Sequence, residues 1–159
     1  MFAFVLAVLL VYMIMAAQFE SLLHPLIIIF SVPMAAVGTT WLLFVTGQSF
    51  NVISLIGVVV LVGIAVNDAI VKIDFINQER KRGQPVREAV IEAGKKRFRP
   101  IVMTSVTTIL GLLPLAIGLG QGAELQRPLA LAIIGGLFTS TVLTLVVIPV
   151  IYSLAAGKK

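Results

Sequence analysis

Cysteine is absent from the 159 residues, which excludes disulfides and thiolate metal sites and leaves the redox compartment unconstrained. Charge is scarce, at 12%, where an ordinary soluble domain carries about 25%. No hydrophilic stretch is long enough to build a separate soluble domain. His24 is the only histidine, and no nucleophile–base pair accompanies it, so no catalytic constellation, cofactor motif or metal-ligand set is readable. The opening run MFAFVLAVLLVYMIMAAQF lacks both a basic n-region and a small-residue cleavage site, which argues against a signal peptide.

Apolar residues fill the space that charge leaves. They make up 59% of the chain, with a mean hydropathy of +1.10, against roughly 45–50% apolar in soluble domains. The expected fold is all-α, a polytopic membrane helix bundle forming a single membrane domain over 1–159. Five spans are predicted, at approximately 2–19, 25–45, 52–77, 98–119 and 125–155, each near or above the ~20 residues that cross a bilayer as a helix. Pro33 lies inside the second and should kink it. Between the third and fourth, Val86, Ala89, Val90 and Ala93 recur at helical spacing. They predict a short amphipathic helix over 85–94 on the cytoplasmic side, lying in the membrane surface or against the bundle, begun by Pro85 and ended by Gly94, with Glu92 and Lys96 paired at i, i+4. Gly135, Gly136, Thr139, Ser140 and Thr141 give the fifth span a small-residue surface suited to close helix approach.

The net charge of +5 points to topology rather than to nucleic acid. Arg80, Lys81, Arg82, Arg87, Lys95, Lys96, Arg97 and Arg99 cluster between spans three and four, and Lys158 and Lys159 end the chain two crossings later. The opposite turns hold only Arg127 as a base. The positive-inside rule makes segment 78–99 and the C-terminus cytoplasmic and the N-terminus periplasmic. An outside N-terminus opening directly into a hydrophobic helix predicts that the chain is a piece of a longer protein, with Met1 an internal methionine.

Within this apolar frame, Asn67 and Asp68 sit side by side in the third span. A charge at the centre of a spanning helix costs roughly 2.5–3.5 kcal/mol on insertion scales, and such residues mark proton and ion pathways. Asp68 is placed roughly 13 Å from the inner end of its helix, and Thr104 and Thr108 roughly 9 and 15 Å from the inner start of the next. Matching depths predict a carboxylate facing two hydroxyls, with Arg97 approaching from the inner mouth. Such a site can load a proton from one side and release it to the other. Simpler readings stand beside this one. Asp68 pairs with Lys72 as a structural ion pair; Asn67 bonds between helices; Thr104 and Thr108 bond their own backbone; Lys72 and Asp74 snorkel to the headgroups.

The runs GIAVNDAIVKIDFINQERKRGQPVREAVIEAGKKRFRPIVMTSVTTILGLLPLA, GAELQRPLALAIIGG, VIPVIY and QFESLLHPLIIIFSVPMAAVG closely resemble the second half of resistance–nodulation–division (RND) efflux transporters. The resemblance is to the hydrophobe/amphiphile multidrug branch that includes the acriflavine-resistance pump. It implies the last five of twelve membrane helices and an inner-membrane homotrimer. It also implies proton antiport of amphiphilic small molecules, with a periplasmic adaptor and an outer-membrane channel as partners. On this resemblance Arg97 and Thr104 match the arginine and threonine of the family's proton-relay region. Asn67 stands where that branch often has the relay lysine and Asp68 where it often has asparagine, which implies a changed relay involving Asp68 or Lys72.

Two other readings compete. A superfamily relative exporting lipid or metal, or assisting protein translocation, would have a similar membrane half; Met13, Met15, Met34 and Met103 are scattered rather than aligned along a metal conduit. An intramembrane aspartyl protease would need a second catalytic aspartate, and Asp74 is too close along the same helix.

Overall fold

The computed structural model describes the backbone of residues 2–19, 22–29 and 31–156 and most side chains within them. The side chains of Glu20, Ser21 and His24, and the terminal Lys158 and Lys159, lie outside the described residues. Among the described residues the helical segments follow in order: α1 (Phe2–Phe19), α2 (Leu23–Ile29), α3 (Ser31–Val45), α4 (Val52–Lys81), α5 (Val86–Ile117) and α6 (Ala123–Ala156). Among the described residues, three are long and apolar enough to cross a membrane, within Val52–Lys81, Val86–Ile117 and Ala123–Val147.

The span expected over 25–45 is helical on both sides of residue 30, which lies outside the described residues, as α2 and α3. One boundary differs from expectation, for a packing reason. The amphipathic helix expected over 85–94 is not a separate element. Its stripe forms the first turns of α5, which continues through Gly94 and Pro100. Gly94 keeps helical geometry, whereas the glycines that do end elements have positive φ, at Gly83 (89°) and Gly118 (88°).

The polar segment is therefore mostly helix. Only residues 82–85 separate α4 from α5. At 30 and 32 residues these helices are about 45 and 48 Å long, longer than the ~30 Å hydrocarbon core. The charged ends project past the apolar layer as a helical hairpin. At its other end α4 is closed by a capping box: Asn51 Oδ1 accepts from Ser54 N–H at 2.8 Å and Ser54 Oγ from Asn51 N–H at 2.9 Å.

α6 is the hub, packing against α2, α3, α4 and α5. Lipid tails are as apolar as leucine, so helices in a bilayer associate through close packing and interhelical hydrogen bonds rather than hydrophobic burial. The small residues of α6 supply both. A Cβ on Gly136 would collide with Leu61 and Thr39, and one on Gly135 with the Gly38 carbonyl and Leu42. Thr39 Oγ1 donates to Ala132 O at 2.9 Å, fully buried. A second cluster forms near the turn, where Ala69, Ile73 and Ile76 of α4 meet Ile28 of α2 and Ala89, Val90 and Ala93 of α5. Of the two placements expected for the stripe in 85–94, packing against the bundle is the one observed: its apolar face covers α4.

Candidate functional site

The buried face of α4 carries Leu61, Ala65, Lys72, Ile76 and Glu79, which with Asp68 fall at helical spacings of four, three, four, four and three. Three ionisable side chains thus share a stripe that is otherwise aliphatic. Asp68 is half-buried and Asn67, one residue away, is exposed. Lys72 is wholly buried, at 0% exposure. Its ammonium crosses to α6 and donates to Thr144 O at 2.9 Å.

That destination corrects two expectations. Lys72 does not snorkel to the headgroups, because its stem lies on the face of α4 that α6 covers. Nor do Asp68 and Lys72 form an ion pair, the lysine having turned to the α6 carbonyl instead. Asp74 is exposed and accepts from Gln78 Nε2 at 2.7 Å.

Thr104 and Thr108 take the local option. Thr104 Oγ1 donates to Pro100 O at 3.0 Å and Thr108 Oγ1 to Thr104 O at 2.8 Å. With Pro100, Met103 and Thr107 they line an open hollow of about 400 Å³ on one side of α5. No hydrogen bond or ion pair joins Asp68 to Thr104, Thr108 or Arg97 among the described residues. The structure therefore places carboxyl and hydroxyls on adjacent helices without bringing them into contact. Arg97 reaches α4 rather than the hollow: its guanidinium lies 5.0 Å from the centre of the Phe75 ring, and its Nε is buried without a partner.

Glu79 was not singled out by sequence and is a buried carboxylate with two basic partners. It is 2% exposed, accepts from Arg82 at 2.9 Å and lies 3.9 Å from the Lys96 ammonium. Lys96 also pairs with Glu92 at 3.2 Å, as the i, i+4 spacing predicted, and sits over Phe75 at 5.6 Å. The place of Glu79 on the stripe of Leu61, Ala65, Lys72 and Ile76, followed by a basic run, was the readable signal. A second missed pair is Ser105 and Thr141, whose hydroxyl oxygens are 2.7 Å apart between α5 and α6.

Among the described residues no cluster of three or more histidine, aspartate or glutamate side chains is placed to hold a metal ion. The arrangement offers a buried ammonium and a half-buried carboxyl one turn apart on α4, and a separate hollow on α5 into which three threonines face.

Comparison with known proteins agrees with a transport fold. Two solved structures of a heavy metal efflux pump, in different crystal forms, are similar to this chain. One superposes with a TM-score of 0.85 at 36% identity over 96% of this chain and 15% of the pump chain. The other gives 0.74 at 40% identity over 84% of this chain and 13% of the pump chain. The chain thus spans about one-seventh of the solved pumps it matches. The model of the AcrB/AcrD/AcrF family matches residues 1–156, and the chain belongs to that family.

Proposed function

We propose that this chain is the C-terminal membrane part of a proton-driven RND efflux permease of the inner membrane, with the α4–α5 turn on the cytoplasmic side. The observation that carries the reading is the fully buried Lys72, held by a single α6 carbonyl one turn from the unpaired Asp68. Charge at this depth is costly and is kept where it moves protons or ions. Asp68 and Lys72 form the proton-handling pair of this part, replacing a lysine at position 67. Arg97, Thr104, Thr108 and Asn67 lie along the route by which it exchanges with water and with the rest of the transporter. The working protein is a homotrimer coupled to a periplasmic adaptor and an outer-membrane channel, and its cargo is an amphiphilic small molecule.

The test is export by the protein carrying this chain. Asp68→Asn and Lys72→Met are expected to abolish drug resistance and cargo-linked proton flux in proteoliposomes while the protein still reaches the membrane. Methionine suits the second variant, because replacing a buried charge with an apolar side chain of similar volume is commonly tolerated. Wild-type resistance and proton flux in both variants would remove this pair from the mechanism.

A second cargo reading rests on the similarity to a heavy metal efflux pump. On that reading the same membrane machinery expels a metal ion. Deletion would then sensitise cells to metal salts and leave tolerance of amphiphilic drugs unchanged.

A further inference from the structure

α5 exposes two opposite faces of different chemistry. One carries the hydroxyls of Thr104, Thr107 and Thr108. The other forms, with α6, a groove of about 420 Å³ whose walls are apolar, among them Val102, Val106 and Ile109 of α5 and Phe138, Val142 and Val146 of α6. The only polar side chains in it, Ser105 and Thr141, are turned to each other at 2.7 Å, so the groove presents hydrocarbon to its occupant. Phe138, Val142 and Val146 are each at least half exposed.

Length and charge identify what fits. From Phe98 to Ile109 the groove follows α5 for about 16 Å at the helical rise, close to half of the ~30 Å hydrocarbon core, the depth of one leaflet. Lys95 and Arg99 precede Val102 and Val106 on the same helix face, at spacings of four, three and four. Both are exposed, and neither forms an ion pair among the described residues. Their neighbours Lys96 and Arg97 turn the other way, to Glu79 and Phe75 of α4. Two uncommitted cations therefore stand at the mouth of a leaflet-deep apolar groove.

We infer that the α5–α6 groove binds an anionic phospholipid, one acyl chain lying between the helices and the phosphate resting on Lys95 and Arg99. Basic side chains at a membrane edge attract anionic headgroups, and guanidinium matches phosphate geometry. This site is separate from the Asp68–Lys72 pair and stands whether or not that pair handles protons.

The test uses the full protein carrying this chain, reconstituted in nanodiscs with phosphatidylglycerol bearing a photoactivatable acyl chain, or with phosphatidylcholine bearing the same chain. Crosslinks are mapped by peptide mass spectrometry. Phosphatidylglycerol should label segments 98–109 and 138–146 roughly thirtyfold more than phosphatidylcholine, as two basic contacts at about 1 kcal/mol each imply. Lys95→Gln with Arg99→Gln, both exposed positions, should bring the two lipids level. Val106→Phe with Val142→Phe, which fills the groove, should remove the excess while the Lys95 and Arg99 charges remain. Equal labelling by both lipids in the unaltered protein overturns the inference. So does a preference that survives loss of both charges, or an absence of label from these segments, which would mean that another helix of the protein fills the groove.

Discussion

The seam between α3 and α6 and the outward side of α4 and α5 both carry glycine, and to different ends. At the seam, Gly38, Gly135 and Gly136 lie where a Cβ would strike the opposing helix, and a buried threonine bonds across the contact. On α4 and α5, Gly63 and Gly111 have nothing within 4 Å of where a Cβ would stand, and Asn67 and Thr104 beside them are exposed. The seam is a finished interface. The other side is polar and small but uncovered, a face that the hydrocarbon core would not favour. Close packing joins α3 to one side of α6, and the ionisable side chains Asp68, Lys72 and Glu79 share one face of α4.

Substitutions can break this contrast. The largest effect is expected from Gly136→Leu, which drives a side chain into Leu61, Thr39 and the Ala35 carbonyl. Overpacking of this kind costs about 3 kcal/mol, so the variant should lose its folded peak in fluorescence size-exclusion chromatography or melt far below the parent. Thr39→Val removes the bond to Ala132 O at nearly constant shape. Interhelical hydrogen bonds in membranes average about 0.6 kcal/mol, so a small but measurable fall in melting temperature is expected. Gly111→Ala should be the mildest, neutral or stabilising by about 0.5 kcal/mol, since alanine is the better helix former and meets no neighbour. A cost for Gly111→Ala in the isolated chain equal to that at Gly136 would erase the distinction. A cost that appears only in the full-length transporter would sharpen it, marking Gly111 as a contact for the rest of the protein.

Much of the fold was legible because its causes are local. Composition declared the membrane class, and the apolar runs located the helices. The i, i+4 spacing of Glu92 and Lys96 foretold their pairing, and the small residues of α6 foretold its close contacts. The reading failed where a local signal competed with packing. Gly94 was read as a helix end, but packing of Ala89, Val90 and Ala93 against α4 carries α5 through it. For the candidate site the sequence offered a list of residues and no arrangement. Thr104 and Thr108 satisfied themselves on their own helix, an outcome that spacing alone left open.

By itself the sequence determined a bundle of membrane helices with its charges gathered at one end and a carboxyl group inside a span. Helix formation and bilayer partitioning depend on runs of neighbouring residues, so a linear reading suffices for them. Only the tertiary structure decided that Lys72 turns inward to a carbonyl 72 positions away on α6, and that Glu79, rather than a more conspicuous residue, meets Arg82 and, from α5, Lys96. Partners so distant along the chain are chosen by which helix faces meet, and that choice belongs to packing.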